Sequence, residues 1–298
     1  MSEKILLKTV TLPNGETLGY RETGTGNNIL LLIHGNMTSS RHWDILMENF
    51  PGEHKLIAVD LRGFGNSSYR RRISSLKDFS DDVALFAEAL GLKQPAVAGW
   101  STGGAVAMQL AANHPAYVRK LILMESVGIK GYPLPKSDEN GQPVFGEFLK
   151  THGDIVNDPQ ILKVVNAFTE RNKAFLKAVW NNLIYTQKQP SPEHYEDYLE
   201  DILTQRNLSD VYYALTVFNI SEESNGVVPG TGEVKHIKAP TLILHGDRDM
   251  VIFEDTAREI QSALGDHAKL VILENCGHSP LIDAPEQCIR HIADFIGG

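Results

Sequence analysis

Six short aliphatic runs set the limits on how this chain folds. Ile29-Leu30-Leu31-Leu32-Ile33, Leu56-Ile57-Ala58-Val59, Ala96-Val97-Ala98, Leu121-Ile122-Leu123-Met124, Leu242-Ile243-Leu244 and Leu270-Val271-Ile272-Leu273 contain no polar residue. A half-exposed strand alternates polar and apolar positions, so a run that is apolar throughout requires cover on both faces. Segments at helical spacing lie between them. Trp43, Leu46, Met47 and Phe50 share one face after Thr38-Ser39-Ser40, and residues 75–91 turn Val83, Leu85, Phe86 and Leu90 inward before Gly91. Strands alternating with helices predict an α/β fold around a mostly parallel, twisted sheet flanked by helices. Residues 4–22 alternate around Pro13-Asn14-Gly15 and read as an antiparallel hairpin leading into that sheet, for about eight strands in all.

The rhythm stops between about Gly128 and Lys238. A structureless loop of that length is anomalous in a compact domain, so a helical insertion is expected, without a buried strand. Helices are predicted over residues 159–183 with a break near Arg171, over 192–205 with Pro192 in the first turn, and over 209–220. Phe168, Phe175, Val179, Trp180, Tyr195, Tyr198, Tyr212, Tyr213 and Phe218 fall on their apolar faces. The expected division is a core of residues 1–128 and 238–298 with a helical cap, or lid, of residues 129–237 inserted after the sixth strand. Residues 131–236 hold 15 acidic and 9 basic side chains, so the outer face of the insertion should be acidic.

A net charge of -9 and a pI near 5.7 argue against nucleic acid or anionic lipid as partners, which need a basic surface. Arg70-Arg71-Arg72 is the one basic run and reads as a solvated loop. No apolar stretch approaches bilayer length, and Met1-Ser2-Glu3-Lys4-Ile5-Leu6-Leu7-Lys8 lacks a signal-peptide core. The expectation is a cytoplasmic protein without membrane insertion, either monomer or homodimer. Cys276 and Cys288 are too few for a disulfide framework, and no Cys/His spacing points to a metal.

Chemistry concentrates first at Gly99-Trp100-Ser101-Thr102-Gly103-Gly104, where an apolar run meets a glycine-flanked serine and then a helical pattern. Such a strand-turn-helix can present the Ser101 hydroxyl at the top of a sheet with the Thr102 amide facing a developing oxyanion. Serine is a weak nucleophile at neutral pH and needs a base, which in turn needs an orienting acid. His278 follows a glycine at a strand exit, and Asp249 leaves the preceding strand end. In open parallel sheets active sites gather at the carboxyl ends of strands. Ser101, Asp249 and His278 therefore stand in the order nucleophile, acid, base.

Together with His34-Gly35, Asp60-Leu61-Arg62-Gly63-Phe64-Gly65, Gly246-Asp247-Arg248-Asp249 and Gly277-His278, this order resembles the α/β-hydrolase superfamily over essentially the whole chain. The resemblance implies a serine hydrolase of the esterase type, without cofactor, acting on a small-molecule ester. It implies that the amide of Asn36 supplies the second oxyanion donor beside Thr102, and that His34 braces that loop. Some relatives carry the acid after the strand that follows the elbow helix, where Glu125 stands, and Asp247 lies in the same turn as Asp249, so both remain alternatives. Glu125 is also a candidate for the pocket rim and Trp100 for the acyl pocket, whereas Cys276 reads as a buried filler.

The stretch His34 to Ser40 resembles the halide-binding segment of haloalkane dehalogenases, which use an aspartate nucleophile; Ser101 argues against that chemistry here, and the Asn36 side chain is left as a candidate ligand for a substrate oxygen. The box around Ser101 is similar to that of intracellular poly(3-hydroxybutyrate) depolymerase-like esterases. Lactone hydrolysis, carbon–carbon bond hydrolysis and, from another class, a non-catalytic ligand receptor are the competing readings.

Overall fold

The aliphatic runs lie side by side. In the computed structural model, which describes residues 4–297, they belong to an eight-stranded sheet. Met1–Glu3, the start of the segment read for a leader, lie outside the described residues. The strands are β1 (Leu6–Thr11), β2 (Thr17–Thr23), β3 (Asn28–Ile33), β4 (His54–Val59), β5 (Ala96–Trp100) and β6 (Lys120–Met124), then, after a small separate hairpin of β7 (Pro135–Ser137) and β8 (Pro143–Phe148), β9 (Thr241–Gly246) and β10 (Ala268–Leu273). Their order is β1-β2-β4-β3-β5-β6-β9-β10. β1 and β2 pair antiparallel, as does β2 with β4, and every other pairing in the sheet is parallel.

Cover on both faces explains the aliphatic runs of the inner strands, while on the edge strand β10 Leu270, Val271 and Ile272 are only half-buried. α1 (Asp44–Asn49), α2 (Leu76–Ala89) and α3 (Thr102–Asn113) precede the insertion; α9 (Glu254–Leu264), α10 (Pro280–Asp283) and α11 (Pro285–Gly297) follow it, numbered after the five helices described next. Successive residues of β3 go to opposite sides: Leu31 and Ile33 join the cluster under α2, α3 and α9, while Leu30 and Leu32 join the one under α1 and α11. Burying one such side chain stabilises the fold by roughly 1.5–3 kcal/mol.

Between β6 and β9 the chain builds α4 (His152–Asn157), α5 (Pro159–Thr169), α6 (Lys173–Leu183), α7 (Pro192–Ile202) and α8 (Leu208–Val217). The predicted break near Arg171 is real, with Arg171 at φ 51° between α5 and α6. Ser191 caps α7 by accepting from the His194 amide, with proline in the first turn. α7 and α8 each end three residues earlier than the periodicity implies. Beside these helices the insertion carries the hairpin of β7 and β8, which the expectation of a helical insertion without a buried strand did not include. Its strands are mostly exposed and Phe145 is fully so, hence no apolar alternation marks them.

This segment is sewn to the sheet side by polar contacts. Tyr198 donates to Asp44 Oδ1 and the Ser39 hydroxyl to Asp201 Oδ1, both at 2.5 Å. The Arg206 amide donates to the Gly63 carbonyl at 2.9 Å, and Tyr69 and Arg72 both donate to Asp210. Among the described residues no helix is long and apolar enough to cross a membrane.

Candidate active site

Ser101 follows β5 directly at φ 56° and ψ -120°, a conformation that side-chain-bearing residues rarely adopt. Surrounding hydrogen bonds hold it there. Its amide donates to Met124 O at 2.9 Å, and its carbonyl accepts from the amides of Gly104 at 2.9 Å and Val127 at 3.1 Å. The glycines on either side are steric requirements. A Cβ at Gly99 would collide with the Gly103 carbonyl, and one at Gly103 with the carbonyls of Ile33 and His34. The bare Gly99 lets β5 and α3 cross this closely, the bare Gly103 lets the start of α3 lie against the end of β3, and the bend presents Ser101 at the amino end of α3.

The loops after β9 and β10 bring two more groups to that point. His278 Nε2 lies 3.0 Å from Ser101 Oγ, and His278 Nδ1 lies 2.7 Å from Asp249 Oδ2. Facing a carboxylate, Nδ1 is assigned the proton, which leaves Nε2 free to accept from the serine hydroxyl. Asp249 Oδ1 accepts from the amides of Val251 at 2.7 Å and Ile252 at 3.0 Å. Burial alone would raise the Asp249 carboxyl, but the His278 charge, its hydrogen bond and those two amides outweigh it and hold the group below the ordinary aspartate value. Asp247 turns elsewhere and accepts from the Cys276 amide at 3.1 Å.

Two contacts fix the histidine loop from behind. The Trp100 indole donates to the His278 carbonyl at 2.8 Å, and Asp283 Oδ2 accepts from the Gly277 amide at 2.8 Å. Trp100 also lines the cavity above Ser101. Asp283 was not foreseen. Only its position just beyond Pro280 could have marked it, and that does not reveal a partner in the preceding loop.

Glu125 is not on the pocket rim. It is fully buried, at φ 44° just after β6, and does not line the cavity. Its Oε1 accepts from the Gly246 amide at 2.9 Å, while Oε2 has no hydrogen-bond partner among the described residues. Burial first, and the neighbouring Asp249 second, push its carboxyl well above the usual range, favouring the neutral acid. His245 Nδ1 lies 3.1 Å from Oε2, and burial pushes that imidazole down, toward its neutral form. Donor atoms of Glu125, His245 and Asp249 lie within 4.8 Å of one another, which is metal-like spacing. The donor set fits an ion poorly, because the Asp249 oxygens already accept from His278 and two amides.

A cavity of about 250 Å³ opens over Ser101. Gly35, Asn36, Met37 and Thr102 line its floor side, and Val179, Trp180 and Leu183 of α6 close it from the intervening segment. Trp180 and Tyr212, but not Tyr195 or Tyr198, are among the expected aromatics that reach it; Tyr195 and Tyr198 pack within the segment and against α1. His34 is wholly buried, with Nδ1 2.7 Å from the Gly35 carbonyl and Nε2 accepting from the Leu61 amide at 3.0 Å, so it braces the loop. The Asn36 carboxamide oxygen accepts from Gln205 at 2.8 Å, a partner 169 positions away that no local pattern announces. Cys276 and Cys288 are free and buried.

Residues 28–285 match the model of the α/β hydrolase fold family. The chain is 25% identical over 299 residues to lipase 1 of Psychrobacter immobilis, covering 97% of this chain and 83% of that one. It is 26% identical over 271 residues to the pimeloyl-[acyl-carrier protein] methyl ester esterase of Nitrosomonas europaea, covering 90% and 94% respectively. The enol-lactonase from Burkholderia xenovorans LB400 superposes with a TM-score of 0.76 at 18% identity, over 98% of this chain and 100% of that one, a likeness of fold. With its sheet order, its strained serine and the match over most of its length, the chain belongs to the α/β hydrolase fold family.

Proposed function

We propose that this protein is an esterase-type hydrolase that cleaves neutral carboxylic esters through an acyl-enzyme. Ser101 Oγ attacks the ester carbonyl as its proton passes to His278 Nε2, and the ionised Asp249 stabilises the imidazolium. The amides of Asn36 and Thr102 hold the tetrahedral oxyanion, aided by the dipole of α3. Collapse of that intermediate breaks the ester C–O bond, and the departing alcohol takes the proton from Nε2, leaving Ser101 acylated. Water then attacks with His278 again as base, releasing the carboxylic acid and restoring the hydroxyl.

The observation that carries this reading is the unbroken hydrogen-bonded relay from Asp249 through His278 to Ser101 beneath an apolar cavity. Lipase and methyl ester esterase relatives support an ester as the substrate class. Among the described residues no Asp, Glu, Lys or Arg lines the cavity, so the acyl group it accepts is uncharged, and about 250 Å³ suits small to medium esters. In this reading residues 129–237 act as the cap. Their acidic surplus favours a free small molecule over an ester carried on an acidic protein. Two free, buried cysteines support a reducing, cytoplasmic setting.

The test is steady release of 4-nitrophenol from 4-nitrophenyl butyrate. Ser101→Ala and His278→Ala should each keep the wild-type circular dichroism spectrum and lose kcat by on the order of 10⁶-fold. Near-wild-type turnover in either variant refutes the reading, and tight ligand binding without turnover in the wild type would favour a receptor.

A further inference from the structure

We infer that Gln205, carried on the turn between α7 and α8, is a positioning residue that sets the oxyanion loop; this rests on the ester-hydrolase reading above. The core side holds the two ends of that loop, the far one through the Ser40 amide, which donates to Asp60 Oδ1 at 2.9 Å. His34 Nδ1 and the Thr38 hydroxyl both reach the Gly35 carbonyl, at 2.7 and 2.9 Å. Two residues on, Met37 sits at φ 58°, a left-handed conformation that costs a non-glycine residue stability and persists only where neighbours enforce it. Gln205 enforces it. Its Oε1 accepts from the Met37 amide at 3.0 Å, and its Nε2 donates to Asn36 Oδ1 at 2.8 Å.

The orientation of that carboxamide is not free to invert, because the Met37 N–H can only donate and so must face the oxygen. Nε2 also donates to Asn207 Oδ1 at 3.0 Å, and Asn207 Nδ2 donates to the Arg62 carbonyl at 2.7 Å. Gln205 is 7% exposed, so these bonds are shielded from competing water. The backbone amide of Asn36 thus lies between two points gripped by one side chain, at its own carboxamide and at the next peptide. Asp201 grips the following stretch, through the Ser39 hydroxyl at 2.5 Å and His42 Nδ1 at 3.1 Å. Seating of the α7–α8 turn and alignment of the Asn36 amide are consequently one event. A shift of the cap would misalign the oxyanion hole without touching Ser101, His278 or Asp249.

The experiment compares wild type, Gln205→Leu, Asn36→Ala and the double variant on 4-nitrophenyl butyrate, with affinity for an alkyl trifluoromethyl ketone measured in parallel. Gln205→Leu should lower kcat about tenfold, a fraction of the ~10²–10³ lost when a whole oxyanion donor is removed. KM should stay within about twofold and the pH of half-maximal kcat/KM should not move, because the imidazole and its acid are untouched. Ketone affinity should weaken in step with kcat/KM, since that adduct carries the oxyanion. The double variant should be little worse than Gln205→Leu alone. Should Gln205→Leu fail to fold, Gln205→Asn, which keeps the polar group but shortens its reach, should show the same split in milder form. Unchanged kcat, or a loss that falls on KM with ketone affinity intact, overturns the role of Gln205 in an otherwise active enzyme. A wild type that releases no 4-nitrophenol instead sinks the hydrolase reading and this role with it.

Discussion

Trp100, the residue immediately before Ser101, donates its indole N–H to the carbonyl oxygen of His278 at 2.8 Å, across 178 positions of sequence. The strand end that presents the hydroxyl therefore also anchors the backbone that presents the imidazole. Trp100→Phe keeps most of the packing but leaves the His278 carbonyl without its donor. Stability should fall by about 1–2 kcal/mol. The Ser101 to His278 spacing should loosen as well, lowering kcat by about three- to tenfold with KM little changed. Urea unfolding and steady-state kinetics on one ester check both expectations.

The two carboxyl groups near His278 separate by environment. Asp249 bonds to the imidazole and its carboxyl is held down, whereas Glu125 lies behind it, pushed by burial toward the neutral acid and without contact to the cavity. Asp249→Asn should cost kcat about 10³–10⁴-fold, by presenting the wrong tautomer of His278 to Ser101. Glu125→Gln, a neutral isostere of a neutral acid, should remain within about threefold of wild type. The reverse ranking would make Glu125 the working acid.

How much of this could be read from the sequence follows from the range of each interaction. The bend at Ser101 is local: Gly99 reports a backbone crossing within a few residues, so the strand-turn-helix was legible. The aliphatic runs report burial on both faces and gave the sheet. Glu125 was misplaced because its position after β6 says where its backbone is, while burial behind Asp249 depends on the packing of β6 against β9. Asp247 and Asp249 share a turn in sequence, and only the course of that turn sends the first to Cys276 and the second to His278. Gln205 was invisible for the same reason on a larger scale, since its partners are set by how one segment docks on another. The hairpin of β7 and β8 escaped because an exposed ribbon carries no apolar period.

Glu125 also makes a prediction about stability and pH. Its carboxyl is raised in the folded protein relative to an ordinary glutamate near 4.5, so folded protein keeps a proton that the unfolded chain releases. Stability from this site is full below about pH 4.5 and declines as pH rises, with a slope of at most about 1.4 kcal/mol per pH unit. Glu125→Gln carries no such proton. Its stability relative to wild type should therefore improve as pH rises above about 4.5, as read by urea midpoints at fixed temperature. A difference that stays constant as pH rises above 4.5 would show that the Glu125 carboxyl is not raised in the folded state.

The most direct measurement is the mass of the intact protein after brief mixing with 4-nitrophenyl acetate and an acid quench. Wild type should gain one acetyl group, located by peptide mapping on Ser101, and His278→Ala and Ser101→Ala should gain none on that timescale. An acetyl group mapped to another residue, or ester turnover that persists in Ser101→Ala, would contradict the account.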